Sequence, residues 1–260
     1  MKPALQLDDA RDTGPAAMAE PRLLPPALSI VMPAYNEEGN VGRVVREAAA
    51  AVAGLVRDYE IVVVDDGSRD GTARVLAELE AELGPRLRVV RHPVNLGYGA
   101  ALRNGFRATR GDLVFYTDSD NQFDLRELES MLPLMKDCDA ALGYRMDRQD
   151  PWLRKVVSGG FNKLSSLAFG MSVRDLNCSF KLFRGDLIRG LTIESNDFFV
   201  DTEMVARLHR DGWRYTQRGV RHYPRTSGRS TVRPSDVPRT LVSLTRMWMR
   251  LRGEGRSRRS

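Results

Sequence analysis

Short apolar runs alternate with helical patterns along most of this chain, and this alternation limits the available folds more than any other feature. The connections between these segments are only a few residues long. Such an order is typical of βαβ units, in which consecutive strands lie parallel in one sheet and helices cover both faces. It predicts an α/β fold with a mostly parallel, doubly wound sheet. Strands are predicted over 28–32, 60–64, 87–91, 112–117 and 140–144, and helices near 38–56, 72–83, 99–109 and 125–136.

The pattern becomes less regular beyond residue 150. We expect helices over 151–169, 200–210 and 235–252, an irregular or strand segment over 173–184, and a strand over 213–223. The first 27 residues contain five prolines and no periodic apolar pattern, so they are predicted to be a disordered leader. The predicted organisation is a disordered leader over 1–27, one α/β domain over 28–232, and a basic amphipathic helix and tail over 233–260.

The composition is that of a globular protein. With 260 residues, 42% hydrophobic and 28% charged, the chain can bury a sizeable core without disulfides. Its longest nearly uncharged apolar stretch, residues 48–56, is far shorter than the roughly 20 residues of a membrane span. Cys138 and Cys178 form neither a disulfide framework nor a zinc-ligand spacing. We therefore expect a protein of the reducing cytosol that does not cross a bilayer.

Positive charge is concentrated at the C-terminal end. Residues 207–260 contain fifteen arginines, no lysine and three acidic residues, a formal charge of +12, whereas the whole chain carries +6. The first 206 residues therefore carry −6. This asymmetry indicates an anionic partner for the C-terminal fifth, such as a phosphate group, a lipid surface or a nucleic acid.

The strongest candidate for a metal site is the acidic motif at the end of the fourth predicted strand. Asp118 and Asp120 are two residues apart, and Gln122 repeats the spacing with an amide oxygen. Mg²⁺ takes oxygen ligands and commonly bridges a protein carboxylate to substrate phosphates. Asp and Asn are also common in solvated turns. Because other acidic turns are predicted at the same sheet edge, the metal interpretation is favoured.

A second acidic turn follows the second predicted strand. Asp65 and Asp66 precede Gly67 and Ser68, and acids in this place can accept hydrogen bonds from a nucleoside. Helix capping by the segment 70–72 is the alternative. A dinucleotide-binding fold would require a Gly-x-Gly-x-x-Gly motif after the first strand, where residues 33–37 read PAYNE. This departure excludes a dehydrogenase of that type.

Four motifs in the same order resemble those of the family-2 glycosyltransferases of GT-A fold. More narrowly, they resemble the dolichyl- and polyprenyl-phosphate sugar synthases, such as those for mannose or glucose, over about residues 28–232. The motifs are SIVMPAYNEE at 29–38, VVDDGS at 63–68, NLG at 95–97 and DSDNQ at 118–122.

This resemblance implies a nucleotide-sugar donor, with a UDP- or GDP-hexose as the candidates, and Mg²⁺ or Mn²⁺ as cofactor. The implied nucleotide-sugar-binding residues are Pro33, Tyr35, Glu37, Val64, Asp66, Gly97, Asp118 and Ser119. The implied metal ligands are Asp118, Asp120 and Gln122.

Further motifs resemble the segments with which those synthases hold a lipid phosphate. They imply that Arg145, Arg154, Ser158 and Arg225 orient the acceptor, and guanidinium groups do bind phosphate oxygens bidentately. A surface salt bridge is the alternative for any one of these arginines. Thr231 stands where the family usually has Lys, and DLNCSF at 175–180 departs from the usual Asp-x-x-Ser-Gly-Phe. We therefore expect an acceptor pocket of altered shape.

Asp201 and Glu203 are candidates for a general base. They open a predicted helix in the region where family-2 enzymes acting on hydroxyl acceptors place such a base. The alternative is that they stabilise the helix N-terminus through the helix dipole. A phosphate acceptor, with a second pKa near 6, is already a nucleophile at neutral pH, whereas a sugar hydroxyl requires a base. The sequence leaves both alternatives open.

The predicted C-terminal helix is amphipathic and basic. Leu241, Leu244, Trp248 and Leu251 form one stripe, and arginines lie between them. Such a helix could lie on an anionic leaflet or pack its apolar stripe on the domain. The expected location is the cytoplasm, at the cytoplasmic face of the membrane with peripheral contact to it.

Taken together, the sequence predicts an inverting, metal-dependent glycosyltransferase that moves a hexose to polyprenyl phosphate. The first alternative is a family-2 transferase with a hydroxyl acceptor and Asp201 or Glu203 as base. A remote alternative is a non-catalytic protein that binds anions or nucleic acid through its basic end. Because aromatic-rich RNA-binding motifs are absent from the sequence, we expect no nucleic-acid partner.

Overall fold

A computed structural model describes residues 27–146, 152–224 and 242–251, without the side chains of 152–157. Its centre is one seven-stranded sheet of order β3-β2-β1-β4-β6-β5-β7. The strands are β1 (Ala27–Ala34), β2 (Asp58–Asp65), β3 (Leu87–Arg91), β4 (Leu113–Thr117), β5 (Ala140–Met146), β6 (Phe180–Arg184) and β7 (Tyr215–Arg221). The α-helices with named bounds are α1 (Val41–Val52), α2 (Thr72–Leu83), α3 (Tyr98–Ala108), α4 (Trp152–Phe169), α5 (Gly185–Gly190) and α6 (Val200–Arg210). Residues 242–251 form a further helix.

Strands β1 to β4 are parallel and covered on both faces, which explains their continuous apolar runs. Successive side chains of a strand point to opposite faces. Accordingly, Ile30 and Met32 belong to the hydrophobic cluster that includes α1, whereas Val31 belongs to the cluster that includes α3 and α6. The predicted α/β fold with a mostly parallel sheet is confirmed.

β6 is the strand that breaks the parallel order. It lies between β4 and β5 and runs antiparallel to both. Only the second half of the segment predicted as irregular or strand, 173–184, forms this strand. The register places Lys181 beside Tyr116 of β4, so a lysine enters the middle of the sheet.

Other differences from the predictions are local. Where one helix was expected near 125–136, the chain forms two 3-10 helices, Leu125–Ser130 and Leu132–Lys136. Pro133 lies within this segment and cannot donate a backbone hydrogen bond, which explains the interruption. α5 was not predicted, because its six residues are too few to show a helical period.

The predicted leader, except Ala27, lies outside the described residues, as do 225–241 and 252–260. The predicted domain boundaries therefore stay predictions, and only 242–251 of the helix expected over 235–252 is described. None of the helices in the described ranges is long and apolar enough to cross a bilayer.

Candidate active site at the carboxyl ends of β1, β2 and β4

Three of the motifs meet where β1, β2 and β4 end. The hydroxyl of Ser119 donates to the carbonyl of Pro33 at 2.8 Å, which joins the β4 end to the β1 end. The backbone N–H of Asp66 donates to the carbonyl of Ala34 at 2.9 Å, which joins the β2 end to it as well. Ligands of open α/β sheets bind beyond the carboxyl ends of the strands, where the strand order changes direction. β1 lies at such a point, so these contacts define the candidate site.

Asp118 is held by two hydroxyl groups. Its Oδ1 accepts a hydrogen bond from the Tyr98 hydroxyl at 2.8 Å, and its Oδ2 accepts one from the Ser179 hydroxyl at 2.5 Å. Burial, and next the nearby charge of Asp120, raise the pKa of Asp118 to about 7. Burial also raises the pKa of Tyr98 well above 10, so its hydroxyl stays protonated and can donate. The result is a carboxylate of fixed orientation whose negative charge is poorly stabilised by the protein.

The pair Asp118 and Asp120 fits a divalent cation. The charge of Asp120 raises the pKa of Asp118, and positive charge bound between the two carboxylates would offset this repulsion. No group of three or more His, Cys, Asp or Glu side chains that could hold a metal occurs among the described residues. A cation would therefore take its remaining ligands from elsewhere, as Mg²⁺ does when it bridges one or two carboxylates and substrate phosphates.

Gln122, the third predicted ligand, lies next to this pair in the turn. Its backbone N–H donates to Oδ1 of Asp120 at 3.2 Å, and its side-chain nitrogen donates to the carbonyl of Tyr223 at 3.0 Å. Asn121, between Asp120 and Gln122, adopts a φ of 61°, in the left-handed region that Asn tolerates. The amide nitrogen is thus used within the protein, and the amide oxygen is the atom suited to a cation.

Both carboxylate oxygens of the buried Asp66 accept hydrogen bonds from other groups of the protein. Its Oδ1 accepts hydrogen bonds from the N–H of Leu96 at 2.9 Å and from Nδ1 of His92 at 2.6 Å, and its Oδ2 accepts the N–H of Gly97 at 2.9 Å. Nε2 of His92 contacts the amide nitrogen of Asn104 at 2.9 Å. Asp66, predicted to hold the nucleoside, therefore fixes the segment between β3 and α3.

The other predicted nucleoside residues surround this turn. Pro33 and Val64 are buried at the strand ends, whereas Tyr35 and Glu37 are half-buried and follow β1. The side chain of Glu37 accepts a hydrogen bond from the amide of Asn40 at 2.7 Å. The structure thus places these predicted residues at one sheet edge.

The segment 191–199 packs over the start of α3. The N–H of Gly99 donates to the carbonyl of Asn196 at 3.0 Å, and a Cβ at Gly97 or Gly99 would collide with backbone oxygens of this segment. Gly97 has a φ of 99°, which other residues rarely adopt. Phe198 stacks on Tyr98 with ring centroids 5.1 Å apart. This close approach explains why glycines flank Tyr98.

Arg145, predicted to hold the acceptor phosphate, forms a two-pronged ion pair with Asp175. Its Nε and one terminal nitrogen donate to the two carboxylate oxygens at 2.7 and 2.9 Å. Asp175 begins the segment that ends at Ser179, so this pair supports the hydroxyl that contacts Asp118. Ser158 is half-buried on α4. The side chain of Arg154 and all of Arg225 lie outside the described residues.

Asp201 and Glu203, the candidate bases, are both buried and both engaged. Oδ1 of Asp201 accepts hydrogen bonds from the Tyr116 hydroxyl and from Nζ of Lys181, each at 2.6 Å. Glu203 accepts the N–H groups of Glu194 and Ser195 and pairs with Arg207 at 2.9 Å. Glu203 therefore anchors the segment 191–199.

Sequence reasoning missed four side chains that shape the site: Tyr98, Ser179, Lys181 and His92. Ser179 lies in the segment 175–180, which departs from the usual motif of the family that the sequence resembles, and that departure was the available signal. Tyr98 directly follows the NLG motif at 95–97, of which only Gly97 was assigned a role in the site. Nothing in the sequence pattern pointed to Lys181 or His92, because their partners are 20 and 26 residues away.

The chain is similar to known glycosyltransferases. The family described as "Glycosyl transferase family 2" matches residues 29–191. Glycosyltransferase AglD of Haloferax volcanii is 34% identical over 200 residues, which cover 73% of this chain and 32% of the relative. Dodecaprenyl-phosphate galacturonate synthase of Rhizobium johnstonii is 29% identical over 242 residues, 88% of this chain and 68% of the relative.

A further relative is undecaprenyl-phosphate 4-deoxy-4-formamido-L-arabinose transferase of Aeromonas hydrophila, 33% identical over 162 residues. The match covers 62% of this chain and 50% of that relative. The chain thus spans from about a third to about two thirds of the length of these three proteins.

Among solved structures, glucosyl-3-phosphoglycerate synthase from Mycobacterium tuberculosis bound to phosphoglyceric acid superposes with a TM-score of 0.66. The identity is 22%, and the match covers 85% of this chain and 80% of that one. Its complex with Mn²⁺, UDP and glucosyl-3-phosphoglycerate gives a TM-score of 0.64 at 22% identity, over 84% of this chain and 80% of that one. At this identity the likeness supports the fold alone. With the family match over more than half of its length, this chain belongs to glycosyl transferase family 2.

Proposed function

We propose that this protein is an inverting, metal-dependent glycosyltransferase that moves the sugar of a nucleotide-sugar to polyprenyl phosphate. The observation that carries the proposal is the placement of Asp118 and Asp120 at the sheet edge where β1 and β4 end. The names of two relatives, both prenyl-phosphate sugar transferases, support the lipid-phosphate acceptor. The donor candidates are UDP- and GDP-hexoses.

In this proposal the strand-end residues hold the donor. Tyr35, Glu37, Val64 and Pro33 line the nucleoside side, while Asp66 fixes the turn at Gly97. Asp118, Asp120 and Gln122 would hold Mg²⁺ or Mn²⁺. The cation would stabilise the negative charge that develops on the departing diphosphate. Ser119, by its bond to Pro33, keeps the acidic motif next to the nucleoside side.

The acceptor phosphate would be oriented by Arg145, Arg154, Ser158 and Arg225. Because a phosphate monoester is already largely dianionic near neutral pH, it can attack the anomeric carbon without a protein base. The engagement of Asp201 and Glu203 within the protein supports this acceptor over a hydroxyl. Holding the two reactants in line is then the main contribution of the protein to the rate.

A product assay tests the proposal. Purified protein is incubated with Mg²⁺ or Mn²⁺ and a panel of UDP- and GDP-hexoses, with and without polyprenyl phosphate, and the lipid fraction is analysed by mass spectrometry. We expect a glycosyl phosphoryl lipid whose formation stops on addition of EDTA. Donor turnover without a lipid product would indicate that the acceptor is a hydroxyl group and not polyprenyl phosphate. No response to any donor would contradict the proposed function.

Asp120→Asn is the variant that tests the metal site. It removes a ligand charge, and we expect loss of transfer by about 10²-fold or more, since metal-bound charge stabilisation is worth several kcal/mol. Asp137→Asn, at an exposed position after the second 3-10 helix, is the control and should keep wild-type transfer. Near wild-type transfer by Asp120→Asn with saturating donor would show that the metal role is wrong.

We further propose that the protein contacts the cytoplasmic face of the membrane from which its acceptor is drawn. Val242 and Met249 are exposed on the helix 242–251, and the exposed Arg246 lies on the same helix. Apolar and cationic side chains together favour an anionic lipid surface. Val242, Thr245, Arg246 and Met249 line one shallow depression there.

Sedimentation with anionic vesicles tests this contact. Met249→Asp should reduce the bound fraction several-fold, because it places a negative charge in the apolar contact. Val94→Asp, which changes an equally exposed apolar residue between β3 and α3, should leave the bound fraction unchanged. Equal binding by wild-type protein and Met249→Asp would contradict a role for this helix.

A further inference from the structure

A row of contacting side chains, half-buried at its Asp118 end and buried at its inner end, extends from Asp118 away from the sheet edge. The Tyr98 hydroxyl donates to Asp118, and its oxygen lies 3.2 Å from the hydroxyl oxygen of Tyr116. The Tyr116 hydroxyl donates to Oδ1 of Asp201 at 2.6 Å, and Nζ of Lys181 donates to the same oxygen at 2.6 Å. These five side chains, the Asp118–Lys181 row, come from α3, β4, β6, α6 and the turn after β4. Their contacts therefore depend on the tertiary fold.

Lys181 is the cationic end of this row. Its side chain is fully buried in β6, where Nζ also donates to the carbonyl of Cys178 and lies 5.2 Å from the ring centre of Tyr116. A buried ammonium group costs several kcal/mol unless a partner charge offsets the loss of solvation. Asp201 supplies that charge, so the two side chains stabilise each other inside the domain.

Asp201 is poorly placed for a base. A general base must come within hydrogen-bond reach of the proton that it removes, directly or through one water. The Asp201 side chain is only 5% exposed, and both tyrosine hydroxyls lie between it and Asp118 in the row. Its Oδ1 already accepts two short hydrogen bonds. The contacts of Asp201 are thus to Tyr116 and Lys181 inside the domain.

We propose that Asp201 is a positioning residue: with Lys181 it anchors Tyr116, whose hydroxyl oxygen packs against that of Tyr98, and Tyr98 fixes the Asp118 carboxylate for the cation. This inference rests on the proposed function, since it assigns a purpose to residues behind the metal site. Partners that orient a metal ligand typically contribute about 10- to 100-fold to metal affinity or activity. Tyr98 is such a partner, because it donates directly to Asp118, and Tyr116 acts on Asp118 through Tyr98.

Hydroxyl removal tests the tyrosines. Tyr98→Phe and Tyr116→Phe keep the rings, and each should weaken Mn²⁺ binding by about 10-fold or more, measured by electron paramagnetic resonance with saturating UDP or, in parallel, GDP. Tyr215→Phe, which removes a hydroxyl 3.2 Å from Nδ1 of His209 at the start of β7, is the matched control and should bind Mn²⁺ as the wild type does. Wild-type Mn²⁺ affinity in both tyrosine variants would overturn the inference.

A single and a double variant test whether Asp201 acts by compensating the charge of Lys181. Asp201→Asn alone leaves Lys181 buried without a counter-charge, so its thermal midpoint in EDTA should fall by several degrees. The double variant Lys181→Met, Asp201→Asn keeps an oxygen that can accept from Tyr116 and removes both charges. It should recover most of the thermal midpoint, and its Mn²⁺ affinity and transfer rate should stay within a few-fold of wild type.

Two results of this pair would overturn the inference. One is a double variant no more stable than Asp201→Asn, because Asp201 would then not serve Lys181. The other is a loss of transfer by about 10²-fold or more at wild-type Mn²⁺ affinity, which would identify Asp201 as the base. If the wild type binds no Mn²⁺, the proposed function and the metal part of this inference both fail. The thermal midpoints in EDTA then still decide whether Asp201 and Lys181 stabilise each other.

Discussion

Asp118 is half-buried, accepts hydrogen bonds from Tyr98 and Ser179, and lies two residues from a second carboxylate. Burial and the charge of Asp120 raise its pKa, while the two hydroxyl donors act in the opposite direction. With a pKa of about 7, the Asp118 side chain is protonated in about half of the molecules at neutral pH when no cation is bound. A cation displaces that proton, so metal binding and protonation compete at this residue.

This competition predicts a pH dependence of stability in EDTA. The pKa of Asp118 is about 7 in the folded protein against 3.8 for the ordinary group. Between these two values the folded state retains a proton that the unfolded state has lost. The contribution of Asp118 to the free energy of unfolding therefore falls as pH rises from about 4 to about 7. Urea unfolding of the wild type and of Asp118→Asn at several pH values measures it.

The difference between the two proteins isolates Asp118 from all other titrating groups. The free energy of unfolding of wild type minus that of Asp118→Asn should decrease across this interval and be constant above and below it. A difference that stays constant throughout would show that the pKa of Asp118 is not raised.

At the scale of elements, the segment 191–199 and helix α6 form one unit with the start of α3. Glu203 of α6 accepts two backbone N–H groups of this segment, and Arg207 one turn later pairs with both Glu203 and Glu194. The segment in turn covers Gly97 and Gly99. Of the two alternatives that the sequence left open for Glu203, its contacts favour a supporting role, because both of its carboxylate oxygens are used within the protein.

Glu203→Gln tests this support. Both Glu203 and Arg207 are nearly fully buried, so removal of the charge leaves Arg207 poorly compensated. The variant also replaces one acceptor oxygen with an NH2 group, a donor that faces the donors Glu203 now binds, namely backbone N–H groups or the Arg207 guanidinium. We expect the free energy of unfolding to fall by about 3 kcal/mol. Glu78→Gln, in an exposed pair with Arg74 on α2, should leave it unchanged. Wild-type stability with transfer reduced by 10²-fold or more would instead make Glu203 the base.

For the whole molecule, two hydrophobic clusters lie on opposite faces of the sheet, and the helix 242–251 belongs to one of them. Leu244, Met247 and Leu251 are buried in the cluster that includes α3 and α6, and Arg250 forms an ion pair with Glu194. The described part of the C-terminal helix therefore packs on the α/β domain with one face, while Val242 and Met249 remain exposed on it.

The change in the free energy of unfolding of Leu244→Ala measures how much the packing of this helix stabilises the domain. Because Leu244 is only 5% exposed, the truncation should lower the free energy of unfolding by about 2–5 kcal/mol in a single cooperative transition. Met249→Ala, at a position 56% exposed, should change it by less than about 0.5 kcal/mol. Equal stability of the two variants would mean that the helix is an appendage rather than part of the domain.

The sequence was a good guide to the elements and to the edge at which the site lies. The predicted bounds of α2, α6 and β3 agree with the structure, and those of the other parallel strands differ by a few residues. Local periodicity carries this information, because each strand or helix shows its own buried face. The 3-10 helices and α5 were missed, since segments of about six residues give a weak periodic signal.

The sequence by itself determined the parallel order of β1 to β4 and therefore the meeting of Pro33, Asp66 and Asp118 at one edge, because the carboxyl ends of parallel strands coincide. Only the tertiary structure decided the partners of the charged side chains. Asp201 meets Tyr116 across 85 residues, and Arg145 meets Asp175 across 30. Such pairings cannot be predicted from the periodicity of the sequence. A charged side chain is buried where the fold brings a compensating group next to it, and that group is distant in the sequence.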